Sequence, residues 1–191
     1  MVTETFAQQL DFVAPGYYSK DTVYVMNGYS YCCEGKTGNV TLYNADYQNN
    51  WVKKKQIYKE TGKRFDFGLG DIDKYNPIID DLNMNQKVFD IIDNAFAKNF
   101  VEYLKDDELL NVVMYLNSET GKVEEVKFWF IDLDAYATLP ISTYRNIEVQ
   151  LINEVSYTPS AIGKQLTYIM LSLMRRPIGA SSSGTGVKPS E

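Results

Sequence analysis

The sequence predicts an α+β fold: an antiparallel sheet carrying two helices, preceded by a Tyr-rich β-meander. Three observations predict it. Apolar residues alternate with polar ones around Leu110–Phe130, as in half-buried paired strands. The period turns helical over Val88–Leu104 and Ile141–Val155. Residues 21–67 are dense in Tyr, poor in helix formers and punctuated by Gly and Asn.

The first twenty residues form an N-terminal segment. Within it Thr5-Phe6-Ala7-Gln8 looks like the end of a bacterial export signal, with the small Ala7 where a peptidase prefers it. The expected location is therefore periplasmic or secreted, with the cytoplasm as the alternative. In the meander, Val23–Val25, Tyr29–Cys33, Val40–Tyr43 and Trp51–Tyr58 read as short strands, separated by Asn27-Gly28, Gly35–Asn39 and Ala45–Asn50. Residues 68–85, with Gly68, Gly70 and Pro77, read as a linker loop. Phe89, Ile92, Phe96, Phe100 and Leu104 then share one helical face behind Asn85 as N-cap.

The hairpin follows. Leu110, Val112, Met114 and Leu116 line one face of its first strand; Val126, Phe128 and Phe130 line the second, opposite Glu125 and Lys127. Gly121 is the residue suited to a positive φ in the connection. Pro140 suits the first turn of the helix through Ile141, Tyr144, Ile147, Leu151 and Val155, and Tyr157-Thr158-Pro159 breaks it. Leu166–Met174 is apolar on both sides, which predicts a strand inside the sheet. Residues 177–191, rich in Ser and Gly, read as a disordered tail.

Residues 86–176 resemble the C-terminal domain of TonB-type energy transducers. The resemblance rests on Val112-Val113-Met114-Tyr115-Leu116, Gly121-Lys122-Val123, Val126, the following helix, Tyr157-Thr158-Pro159, Gly163-Lys164 and the closing strand. It implies a TonB-like α+β scaffold, an envelope setting and a sheet edge able to accept an extended peptide. Complete transducers also carry a membrane anchor and a Pro-rich spacer; neither pattern is present in the sequence, so a scaffold is expected rather than a transducer.

Composition bounds the chemistry. The chain has 191 residues, 45% hydrophobic and 14% aromatic, enough for an ordered core. A net charge of −6 disfavours nucleic acid, whose phosphates the average field would repel. No apolar run approaches the roughly 20 residues of a membrane helix. Histidine is absent, which excludes imidazole bases, His-dependent triads and His metal ligands. Cys32 and Cys33 are adjacent, a strained pairing; strand alternation makes one a buried hydrophobe and the other an exposed thiol.

Neither a metal nor a cofactor is expected. Asp71, Asp73, Asp80, Asp81, Asn83 and Asn85 offer oxygen ligands, but from Asp81 the calcium-loop spacing puts Gln86 where Gly is needed and Ile92 where Glu is needed. Gly62–Gly70 lacks a phosphate-loop spacing, and Asn39-Val40-Thr41 matches only the short glycosylation sequon. Lys53, Lys54, Lys55, Lys59, Lys63 and Arg64 beside Trp51 and Tyr58 read as a solvated strand face diluted by Glu60 and Asp66. The feature that points to binding is the aromatic concentration Tyr17, Tyr18, Tyr24, Tyr29, Tyr31, Tyr43, Tyr47 and Trp51, since Tyr joins a flat apolar face to a hydrogen-bonding tip. Tyr29, Tyr31, Tyr43 and Trp51 are its candidate ligand contacts. The expected function is a non-catalytic binding module taking a protein or peptide by strand addition, or a glycan. The alternative is a carboxylate-dependent enzyme acting on a carbohydrate through Asp132 and Asp134, which share one side just after a strand.

Overall fold

Two compositionally different halves of the chain meet in one antiparallel sheet. The structure, a computed structural model, describes residues 21–26, 28–36, 38–65, 76–97, 109–131, 136 and 139–177. The meander supplies β1 (Thr22–Met26), β2 (Tyr29–Lys36) and β3 (Asn39–Asn44). There follow β4 (Ile78–Ile79), α1 (Leu82–Ala97), β5 (Leu110–Leu116), β6 (Val123–Ile131), α2 (Ile141–Glu154), β7 (Thr158–Pro159) and β8 (Ile169–Arg175). The six-stranded sheet runs β1-β2-β3-β6-β5-β8, and β4 pairs separately with β7. The class is α+β.

The join is the β3–β6 ladder, where Val40 lies opposite Phe130 and Leu42 opposite Phe128. These side chains face the helices, so the meander and the later strands share one core. That core contains Tyr31, Cys33, Val40 and Leu42 together with Val112, Met114, Val126, Phe128 and Phe130, covered by Ile92 and Phe96 of α1 and by Tyr144, Ile147 and Leu151 of α2. Tyr144 stacks on Phe130 with ring centroids 5.4 Å apart and planes 9° apart, which fixes α2 over the centre of the sheet.

The hairpin alternation reads true: Leu110, Val112, Met114, Leu116, Val126, Phe128 and Phe130 are all buried on the helix side. Three local expectations need correction. Trp51–Tyr58 is not a strand; after Asn50, held left-handed at φ 53°, Trp51–Lys53 forms a 3-10 turn. The Glu125 carboxylate accepts the Val52 backbone N–H at 3.1 Å, an anchor that propensity does not reveal. The first helix begins at Leu82, inside the expected linker, because Asp81 caps it by accepting the Met84 N–H at 3.0 Å. Asn85 lies within that helix and accepts the Tyr157 hydroxyl at 2.8 Å. Residues 98–104 of the expected helix lie outside the described residues, as do 1–20, 66–75 and 178–191.

The last strand is an edge, not an interior strand. Ile169, Leu171 and Leu173 turn to the core side, while Met170 and Met174 remain 45% and 60% exposed. Continuous hydrophobicity therefore reflects two unshielded methionines rather than burial on both faces. The strand also starts three residues late. Leu166 bridges to Tyr58, and the Thr167 N–H donates to the Ile57 carbonyl at 3.0 Å.

Gly121 takes φ 71° at the β5–β6 turn, and a Cβ there would meet the Tyr157 carbonyl oxygen at 1.6 Å. That carbonyl belongs to backbone that cannot retreat, since the Tyr157 N–H donates to the Gly121 carbonyl at 3.0 Å. Gly28 has φ 83° but open space around it. Gly121→Ala should therefore lose about 3 kcal/mol or more in urea unfolding, against about 1 kcal/mol for Gly28→Ala, where only the left-handed backbone is strained. Equal losses would contradict the close approach.

Candidate functional site

Strand parity divides the four aromatic candidates between the two faces of the sheet. Tyr29 and Tyr31 alternate toward the helices; Tyr31 is fully buried, and Tyr29 meets it edge to face at 5.9 Å. Tyr43 pairs with Cys32 and so points to the opposite side, 3% exposed, donating its hydroxyl to Glu34 Oε1 at 2.7 Å. Trp51 is half-buried on that same side, stacked on Tyr168 at 5.3 Å. The four do not form one surface.

On the helix side Tyr29 and Tyr31 join a polar cluster that the sequence reading missed. Tyr31 lies opposite Asn44 across the β2–β3 ladder. Asn44 Nδ2 donates to Glu148 Oε1 at 3.0 Å, and Arg145 donates to the same oxygen at 2.7 Å. The Arg145 guanidinium sits 5.6 Å from the centre of the Tyr29 ring. Glu148 is fully buried, and its Oε2 and the Tyr31 hydroxyl have no hydrogen-bond partner among the described residues. Burial pushes the Glu148 carboxyl up to about 8, against the pull of Arg145. Periodicity gave no warning, because Glu148 sits one residue from Ile147 on the buried helical arc.

A second buried acid, Glu125, lies on the far face. It is 1% exposed; its Oε2 holds the Val52 N–H, its Oε1 is unpartnered among the described residues, and burial raises its carboxyl above the usual range. Val113, Tyr115 and Tyr168 form a small apolar cluster there with Trp51 and Val52. Glu125 thus anchors a turn over one end of the sheet, and the sheet separates it from Glu148.

Beyond that covered end the far face is open among the described residues, and Trp129 stands at its centre, 38% exposed on an interior strand. Thr41 of β3 and Asn111 of β5 are its direct cross-strand neighbours. Glu34 lies beyond Thr41 and Met174 beyond Asn111, so one row crosses five strands. Ser172 Oγ donates to Asn111 Oδ1 at 2.7 Å. Ile131, 39% exposed, continues the face along β6 opposite Asn39. The alternation that sent Phe128 and Phe130 inward already sent Trp129 outward, which is the signal by which this row was legible.

Cys33 lies in the core, and Cys32 is half-buried on the opposite side of the sheet. Among the described residues no group of three or more acids or cysteines is placed to hold a metal. Asp80, Asp81 and Asn85 are spent on the α1 start and its neighbours, Asn83 is exposed in the first turn of α1, and Asp71, Asp73, Asp132 and Asp134 lie outside the described residues. The basic run turns largely to its own chain. Lys53 Nζ lies 5.5 Å from the centre of the Tyr43 ring, Lys54 donates to the Asn49 carbonyl at 2.6 Å, and Lys59 pairs with Glu119. Among the described residues no helix is long and apolar enough to cross a membrane.

The Glu148 shift has a definite sign. Its folded value near 8 exceeds the ordinary 4.5, so the folded chain holds a proton that the unfolded chain releases in between. Its contribution to stability is full below about 4.5 and is lost as pH rises through about 8. Glu148→Gln, which keeps an acceptor for Asn44 and Arg145, should flatten stability against pH over that window and gain on the order of a few kcal/mol above it. An unchanged slope in urea titrations at several pH values would contradict the buried acid.

A comparison with curated proteins found no match. Among solved structures the fold is similar to the crystal structure of a DUF5043 family protein from Bacteroides uniformis ATCC 8492, at a TM-score of 0.77 and 35% identity, covering 90% of this chain and 99% of that one. Residues 15–173 match the same family, described as a domain of unknown function; the match spans the meander as well as the segment expected to be TonB-like, and it indicates no TonB-type domain there. The chain belongs to the DUF5043 family.

Proposed function

We propose that the protein is a non-catalytic binding module of the bacterial envelope, with the open face of its sheet as the contact surface. The observation that carries this reading is Trp129, an indole left 38% exposed on an interior strand whose other face is sealed by helices. Ile131 and Met174 are exposed on the same face, so the indole belongs to an apolar stretch rather than standing alone, and Trp is enriched among contact anchors.

The outer edge of β8 is a second contact element. Gln56 Nε2 donates to the Tyr168 carbonyl at 2.7 Å, which closes the beginning of that edge. Beyond it, among the described residues, no strand pairs with the outer side of β8. An extended peptide could add there through backbone hydrogen bonds. The export-like Thr5–Gln8 segment supports the envelope setting.

The alternative, a carboxylate enzyme acting on carbohydrate, finds little support in the acids described. Glu125 and Glu148 have raised carboxyl values suited to acid catalysis, but they lie on opposite faces of the sheet and cannot flank one bond. Both are buried and committed to holding Val52 and Asn44.

The experiment presents the intact protein with immobilised peptides and glycans and follows both retention and product formation. Retention without turnover is expected. Turnover that the Asp132→Asn, Asp134→Asn double variant loses would overturn the binding reading in favour of the enzyme.

A further inference from the structure

We propose that the open face binds a neutral carbohydrate, with a pyranose ring stacked on the Trp129 indole; this rests on the binding reading above and names its ligand. The row geometry carries it. Neighbouring strands lie about 4.8 Å apart, so the backbones bearing Thr41 and Asn111 flank Trp129 at about 5 Å, and Glu34 stands at about 10 Å. A sugar ring presents an apolar C–H face and a rim of hydroxyls. The indole can take the C–H face, while Thr41 Oγ1 and Asn111 Nδ2 reach the rim on either side.

Two of these polar groups are preset. Ser172 Oγ occupies Asn111 Oδ1 at 2.7 Å, which leaves the amide N–H pair to donate outward. The Tyr43 hydroxyl holds Glu34 Oε1 at 2.7 Å and leaves its second oxygen to accept from a hydroxyl further along the chain of sugars. Side chains fixed on a sheet lose little freedom on binding, which favours a weakly held ligand such as a glycan.

The same row disfavours other occupants. An apolar protein patch laid over Trp129 would bury Thr41, Asn39 and Asn111 without partners for all their polar atoms, at a cost for each. An anionic sugar or phosphate would meet Glu34 and a chain of net charge −6. Lys127, on the same face, lies 5.9 Å from the centre of the Tyr115 ring, at the covered end, and burial lowers its affinity for a proton.

The test is affinity electrophoresis of the full chain through gels containing soluble mannan, xylan, arabinogalactan, or α- or β-glucan, with an extended-peptide library measured in parallel. At least one neutral polysaccharide should retard the parent. Trp129→Ala should weaken that binding at least about tenfold, Trp129→Phe less, and Asn111→Ala a few-fold, the loss of one ring contact and of one hydrogen bond respectively. Circular dichroism and urea midpoints confirm that each variant folds; Trp129 is exposed, so they should match the parent. Equal retardation of parent and folded Trp129→Ala overturns the proposal. Peptide capture with no polysaccharide retardation also overturns it, yet leaves the binding reading standing. Failure of both overturns the two together.

Discussion

The β3–β6 ladder is the constraint on which the rest depends. It joins strands more than eighty residues apart in sequence, and by placing Val40 and Leu42 against Phe130 and Phe128 it fuses a Tyr-rich meander and a helix-covered hairpin into one core. Closing so long a loop costs entropy that local contacts do not recover. The recovery comes from burying Val40 and Leu42 beside Phe130 and Phe128, contacts that exist only once the two halves pair. The same ladder also makes the proposed contact face, since Thr41 and Trp129 become neighbours only when β3 and β6 pair.

Much of this fold was legible in residue alternation. Val126, Phe128 and Phe130 predicted an inward face and the Ile141–Val155 spacing predicted α2, because both periods are imposed by burial against a large partner. What remained hidden depended on contacts distant in sequence. The turn at Trp51–Lys53 is held by Glu125, more than seventy residues away, and the edge position of β8 follows from strand order, which alternation does not encode. Asp81 was overlooked as a helix cap because the acidic residues around it looked like loop; its carboxylate is what starts the helix.

The candidate site was half legible for a related reason. Counting aromatic residues found a concentration but not its sidedness. The β2–β3 register sends Tyr31 into the core and Tyr43 to the far side, and Tyr43 is there covered by its neighbours. Among the described residues the large aromatic left exposed is Trp129, which lies outside the Tyr-rich segment but on the strand that segment pairs with. The proposed contact face thus belongs to the joined sheet rather than to either half. The two buried acids follow the same logic. Glu125 fastens the turn that covers one end of the far face, and Glu148 fastens α2 to β3 through Asn44, so each unfavourable burial is offset by a link between halves.

The central claim, that the halves form one cooperative body whose face exists only when they are joined, is tested most directly by native-state amide hydrogen exchange along a urea series. Amides of β2 and β3 should open with the same free energy and the same urea dependence as those of β5 and β6, marking a single global unfolding. Amides of β1–β3 exchanging through a lower-energy opening, while β5, β6 and β8 stay protected, would contradict it.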